Sequence, residues 1–225
     1  MKLKYTITAC CMVLSGMMSV NAAVSLTNGS FETATDDTYN GFNYNRTTTV
    51  DGWTIGRPGS LWDVARINQA YCDDASVQTG PLNGGAGMWI SGVGGSLSQD
   101  TGTSFASEGA GDYLFTLSMG QSSNFTGVDS ITIALVADGG AGAVLNSNVI
   151  TTLNPGDDLS DFSVSYTADG TESGNVGVVI TSGADDLSGV YVVDNARIGF
   201  TAVPEPASAA LLGLGGLALI LRRRK

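Results

Sequence analysis

The chain has 225 residues, 43% of them hydrophobic and only 14% charged, which is enough for one good core. Its formal net charge is −11, and the basic residues gather at the two ends: between Ala23 and Ala202 only Arg46, Arg57, Arg66 and Arg197 stand against twenty acidic residues. A surface of that sign repels phosphate backbones, so nucleic acid is excluded as a partner.

Met1 to Lys4 form a short basic region, Tyr5 to Val20 are mostly apolar, and small residues follow at Ala22 and Ala23. This order predicts a signal peptide over residues 1–22, cut after Ala22, and export of the rest. An uncleaved anchor is the other reading, disfavoured because the run is short and a small-residue site follows it. Cys10 and Cys11 leave with the peptide. Cys72 is then the one mature cysteine, which forbids an internal disulfide and leaves burial or pairing between molecules.

From Ala23 the chain reads as β. "DYLFTLS" at 112–118 and "FSVSYT" at 162–167 alternate apolar and polar residues with period two, so each buries one face. Runs at 130–137, 175–181 and 190–200 are rich in Val and Ile and are separated by Gly, Asp, Asn and Ser clusters. "NGGAG" at 83–87 and "DGGAGA" at 138–143 are turns; neither is a phosphate loop, because no Lys follows and no helix opens there. No helical pattern occurs between 23 and 202. The expectation is an all-β domain, an antiparallel jelly-roll β-sandwich over residues 23–202.

Chemistry narrows next. The chain has no histidine, and residues 23–202 contain no lysine, which removes His-based triads, most zinc sites and a Ser-Lys dyad. A carboxylate pair drawn from Glu32, Glu108, Glu172 and the aspartates remains open for glycoside hydrolysis, but nothing marks two of them as facing each other. The domain is therefore read as no enzyme. Sugar binding asks for exposed aromatic rings, and Trp62 after "RPGS" is the first candidate, followed by Tyr39, Phe42 and Tyr44 in "YNGFNY" and by Tyr71. Each of these could equally cover a sandwich edge. Trp53 and Trp89 are expected in the core.

"TNGSFE" at 27–32, "DGWTIG" at 51–56, the middle segments "GVGGSLSQD" and "GDYLFTLSMG", and the closing "VYVVDNARIGF" at 190–200 resemble galactose-binding-like jelly rolls, as in carbohydrate-binding modules and DUF642-type surface proteins. In such folds the first and last strands often meet beside a structural calcium. The resemblance implies Glu32 and Asp194 as carboxylate ligands of Ca²⁺, completed by backbone carbonyls. The pattern departs from many relatives in one place, where Asp194 is followed by Asn195 rather than a second acid. The alternative is that Glu32 caps a turn and Asp194 hydrogen-bonds locally.

The chain closes with "VPEPASAALLGLGGLALILRRRK", Val203 to Lys225. The apolar part, residues 207–221, would span about 22 Å as a single helix, short of a ~30 Å hydrocarbon core. Pro204 and Pro206 keep the stretch around Glu205 extended, and the four terminal cations would remain cytoplasmic. This layout resembles the PEP-CTERM sorting signal of Gram-negative bacteria. That resemblance implies Pro204, Glu205 and Pro206 as recognition residues, an exosortase as processing partner, transient anchoring in the inner membrane and delivery to the cell surface or extracellular matrix. A permanent single-span anchor is the alternative.

Three readings of the mature domain stay open. It is a surface or matrix protein for adhesion or exopolysaccharide association, a calcium-dependent module for a specific glycan, or a small polysaccharide-acting enzyme.

Overall fold

The computed structural model describes residues 23–34, 44–45, 49–57, 64–73, 80–126, 130–140, 142–153, 156, 158–183 and 189–203. The expected signal peptide and the apolar tail helix lie outside these residues. Among those described, no helix is long and apolar enough to cross a membrane.

The strands follow in chain order as β1 (Tyr44–Asn45), β2 (Thr54–Gly56), β3 (Val64–Asn68), β4 (Ala86–Ser91), β5 (Val93–Ser104), β6 (Gly111–Thr126), β7 (Ile131–Val136), β8 (Val144–Ile150), β9 (Ser160–Ala168), β10 (Asn175–Gly183) and β11 (Gly189–Ala202). They form a jelly-roll sandwich of two antiparallel sheets, ordered β1-β3-β4-β11-β6-β9 and β2-β5-β10-β7-β8. All-β patterning in the sequence thus becomes two layers around one core.

Period-two alternation decides what each strand buries. In β6, Tyr113, Phe115, Leu117 and Met119 are fully buried, while Leu114 between them is 47% exposed. Opposite them lie Ile131, Ile133 and Leu135 of β7 and Val176, Val178 and Ile180 of β10. Each such side chain contributes roughly 1.5–3 kcal/mol by leaving water.

A second apolar cluster covers the other face of β3, β4 and β11. Ala65, Ile67, Trp89, Val190 and Val192 pack there with Tyr71, Cys72 and Leu82. Hence all six residues of β4 are buried, and "AGMWIS" reads as a continuous run without alternation. The roof over this face is α1 (Gln69–Cys72), capped by Asn68, whose side chain accepts from the Tyr71 amide. A second short helix, α2 (Phe105–Glu108), is capped in the same way by Ser104. The sequence reading expects no helix here, because four residues make barely one turn and carry no periodicity.

Two further features differ from the expectation. Ala86 and Gly87 already belong to β4, so the turn at "NGGAG" is shorter than predicted. Strand β8 was not legible, because Asn146 and Asn148 occupy inward positions opposite Leu135 and Ile133. There the two amides donate across the open side of the sandwich, Asn146 Nδ2 to the Ser165 carbonyl (2.6 Å) and Asn148 Nδ2 to the Ser163 carbonyl (3.0 Å).

Candidate functional site

The last strand is irregular where it matters. β11 pairs with β4 over Val190 to Val193 and with β6 along its length, but the β6 register shifts between Asp194 and Arg197. Asn195 sits in the shift with φ +49°, a conformation asparagine tolerates better than most residues. Its amide turns back to donate to Asp194 Oδ1, and the Asn83 amide donates to Asp194 Oδ2, both at 2.5 Å.

Glu32 reaches the same loop from the other end of the domain. Its Oε1 accepts from the amides of Gly85 (2.9 Å) and Ala86 (3.1 Å). The "NGGAG" segment is therefore more than a turn: the amides of Asn83, Gly85 and Ala86 hold both carboxylates. Glycine is needed at Gly84, where φ is +104° and a Cβ would stand 2.2 Å from Glu32 Oε1.

The segment bearing Glu32 is fixed from beneath. Arg66, buried on the inter-sheet side of β3, donates from Nε to the Phe31 carbonyl (2.8 Å) and from Nη2 to the Glu32 carbonyl. Phe31 itself has φ +57° and packs its ring 5.0 Å from Trp53. Trp53 Nε1 donates to the Asn28 carbonyl at 3.1 Å, and Asn28 Nδ2 donates to the carbonyls of Thr33 and Asp51. "TNGSFE" and "DGWTIG" are thus one interlocked unit.

Asp194 is fully buried. Burial pushes its carboxyl up to about 7, the charge of Glu32 adds to the rise, and the amides of Asn83 and Asn195 pull against it. Two carboxylates near enough to repel, one of them out of water, make a donor set that a hard divalent cation would relieve. Glu32 and Asp194 therefore fit calcium in residue type and in charge. Among the described residues no group of three or more His, Cys, Asp and Glu is gathered, so any further ligands would be carbonyls or water.

The other candidates are placed as follows. Trp62, Tyr39 and Phe42, with Pro204, Glu205 and Pro206, lie outside the described residues. Tyr44 belongs to β1, opposite Ile67. Tyr71 is 8% exposed and stacks on Trp89 with ring centroids 5.7 Å apart, inside the second apolar cluster.

A surface that sequence reasoning missed opens on the outer face of β6, β9 and β11. It is a shallow groove of about 530 Å³ lined by Asp112, Leu114, Ser165, Thr167, Gly199 and Thr201. Thr167 Oγ1 donates to Asp112 Oδ1 at 2.6 Å, and Gly199 leaves the floor open, since a Cβ there would meet nothing within 4 Å. Nearby on the same strands, Arg197 pairs with Asp161, whose carboxyl is held below its ordinary range by hydrogen bonds from Ser118 and Arg197 despite some desolvation.

Residues 202–225 match the PEP-CTERM protein-sorting motif. No curated protein matches the sequence. Among solved structures, the chain is similar to an apo cyclase from Fischerella sp. (17% identity, TM-score 0.62, 81% of this chain and 97% of that one). It is also similar to a cyclase from Fischerella sp. TAU in complex with 4-(1H-indol-3-yl)butan-2-one (14% identity, TM-score 0.61, 81% and 98%). A family 16 carbohydrate-binding module overlaps more loosely, with 16% identity, TM-score 0.45 and 77% and 97% coverage.

The cyclases overturn one expectation. The sequence points to no enzyme, since residues 23–202 lack histidine and lysine and nothing marks two carboxylates as facing each other, yet the fold shared over four-fifths of the chain is one that enzymes use. Absence of those two residue types removes particular mechanisms and does not remove catalysis.

Proposed function

We propose that this chain is an exported surface or matrix protein whose C-terminal segment is read and removed by an exosortase after transient anchoring in the inner membrane of a Gram-negative bacterium. The supporting observation is the sorting motif at 202–225, which begins on the last residue of the final strand of the sandwich. Residues 1–22 are the signal peptide in this reading, and Pro204, Glu205 and Pro206 are what the processing enzyme recognises.

The mature sandwich then associates with exopolysaccharide or another surface glycan. A groove lined by Ser, Thr and Asp around one exposed leucine suits a hydroxyl-rich ligand with apolar C–H faces. Ca²⁺ held by Glu32 and Asp194 ties the first loop to the last strand and supplies the fold with the cross-link that cysteine cannot. Adhesion without a specific glycan is the neighbouring reading.

The test follows the full-length protein, tagged before and after residue 203, in cells with and without an exosortase. Loss of the C-terminal tag only where the enzyme is present supports the sorting reading; identical fates in both overturn it. Retention of residues 23–202 on the producing cell's own polysaccharide, with calcium and then with a chelator, tests the glycan reading.

A further inference from the structure

The sorting motif and the folded domain share backbone. The match begins at Ala202, and Ala202 is still paired in the sheet, opposite Gly111. Thr201 pairs with Asp112, and beyond the strand the Val203 amide donates to the Ala110 carbonyl at 3.1 Å. No linker separates β11 from Pro204.

A protease encloses its substrate as an extended chain on either side of the bond it cuts, using backbone groups that a sheet partner would otherwise occupy. Residues paired with β6 offer those groups to β6 instead. The terminal rungs are suited to release. Among the described residues, β4 accompanies β11 only over Val190 to Val193, so β11 beyond the bulge is held by β6 on one side. Thr201, Ala202 and Val203 are all exposed, with Val203 at 47%, and their side chains bury little that would resist peeling. Phe200 is different: its ring lies 4.7 Å from that of Tyr113, inside the edge of the core.

We propose that the domain stores the leading end of its own sorting signal in the sheet, and that processing requires Thr201 to Val203 to peel from β6, with Phe200 as the point where peeling stops. Folding and processing thereby compete for the same three residues. This inference rests on the sorting reading above, and it adds that the completed fold slows the step.

Pulse–chase of tail loss in exosortase-containing cells tests it with the full-length protein. A flexible Gly-Ser stretch of about six residues inserted between Ala202 and Val203 frees the motif from the sheet and is expected to speed tail loss severalfold. The Asp112→Cys and Thr201→Cys pair, cross-linking the rung where these residues face each other, is expected to retain the tail until reductant is added. In this assay each single cysteine variant, which can form no cross-link on that rung, is expected to lose its tail at the rate of the unsubstituted chain.

Processing of the unsubstituted chain, the insertion variant and the oxidised pair at one common rate overturns the inference while leaving the sorting reading intact. No tail loss from any of them, the insertion included, overturns both.

Discussion

The amide of Ala196 donates to the carbonyl of Gly29 at 2.8 Å, binding the first described loop to the bulge of the last strand. The approach is so close that a Cβ on Gly29 would stand 2.1 Å from the Ala196 carbonyl oxygen. Because the obstacle is backbone, it cannot swing aside as a side-chain tip would. Gly29→Ala is expected to cost about 1–3 kcal/mol, read as a lower urea midpoint with an unchanged slope. It should also weaken any stabilisation by calcium, since Glu32 and Asp194 lie on the two segments being forced apart.

Asp194 gives a pH dependence whose sign is fixed. Its carboxyl titrates at about 7 in the folded protein against an ordinary value of 3.8, so the folded state holds the proton more tightly. The stability it contributes is full below about pH 4 and is lost steadily as pH rises towards about 7. Thermal unfolding of metal-free protein across that range should show the decline, and Asp194→Asn should flatten it. Added calcium should restore stability at pH 7 and above in the unsubstituted domain only. A metal-free profile with no loss between pH 4 and 7 would contradict the assignment.

Asn146 and Asn148 close the sandwich by donating to the carbonyls of Ser165 and Ser163 on the edge strand β9. Removing one amide leaves a β9 carbonyl without that partner and uncovers part of an edge. Asn148→Ala is expected to cost about 1 kcal/mol and to raise self-association at high concentration, measured by light scattering. Asn148→Asp, which cannot donate when ionised, should cost at least as much.

These contacts also explain which parts of the molecule the sequence disclosed. "DYLFTLS" announced its buried face because β6 has one side in the core and the other in a groove. "AGMWIS" and "VLNSNVI" concealed theirs, one buried on both faces and the other carrying inward asparagines that bond to the opposite sheet. Glu32 and Asp194 were legible only through family resemblance, since 161 intervening residues separate them and no local spacing joins them. Arg66 and the amides of "NGGAG" were missed, though a lone arginine inside "VARIN" is a signal: a cation at an inward strand position requires acceptors.

The groove on β6, β9 and β11 provides a test of the glycan reading that leaves the core untouched. Gly199 is exposed, its φ is not in the left-handed region, and a Cβ there would meet nothing within 4 Å. Gly199→Gln should therefore fold with stability within about 0.5 kcal/mol of the unsubstituted domain, while its side chain stands in the groove floor beside Leu114. Loss of polysaccharide retention with an unchanged melting temperature would locate the ligand on this face. Full retention would move it to the aromatic segments around Tyr39, Phe42 and Trp62, because a ligand seated among Asp112, Ser165 and Thr201 cannot share that floor with a glutamine.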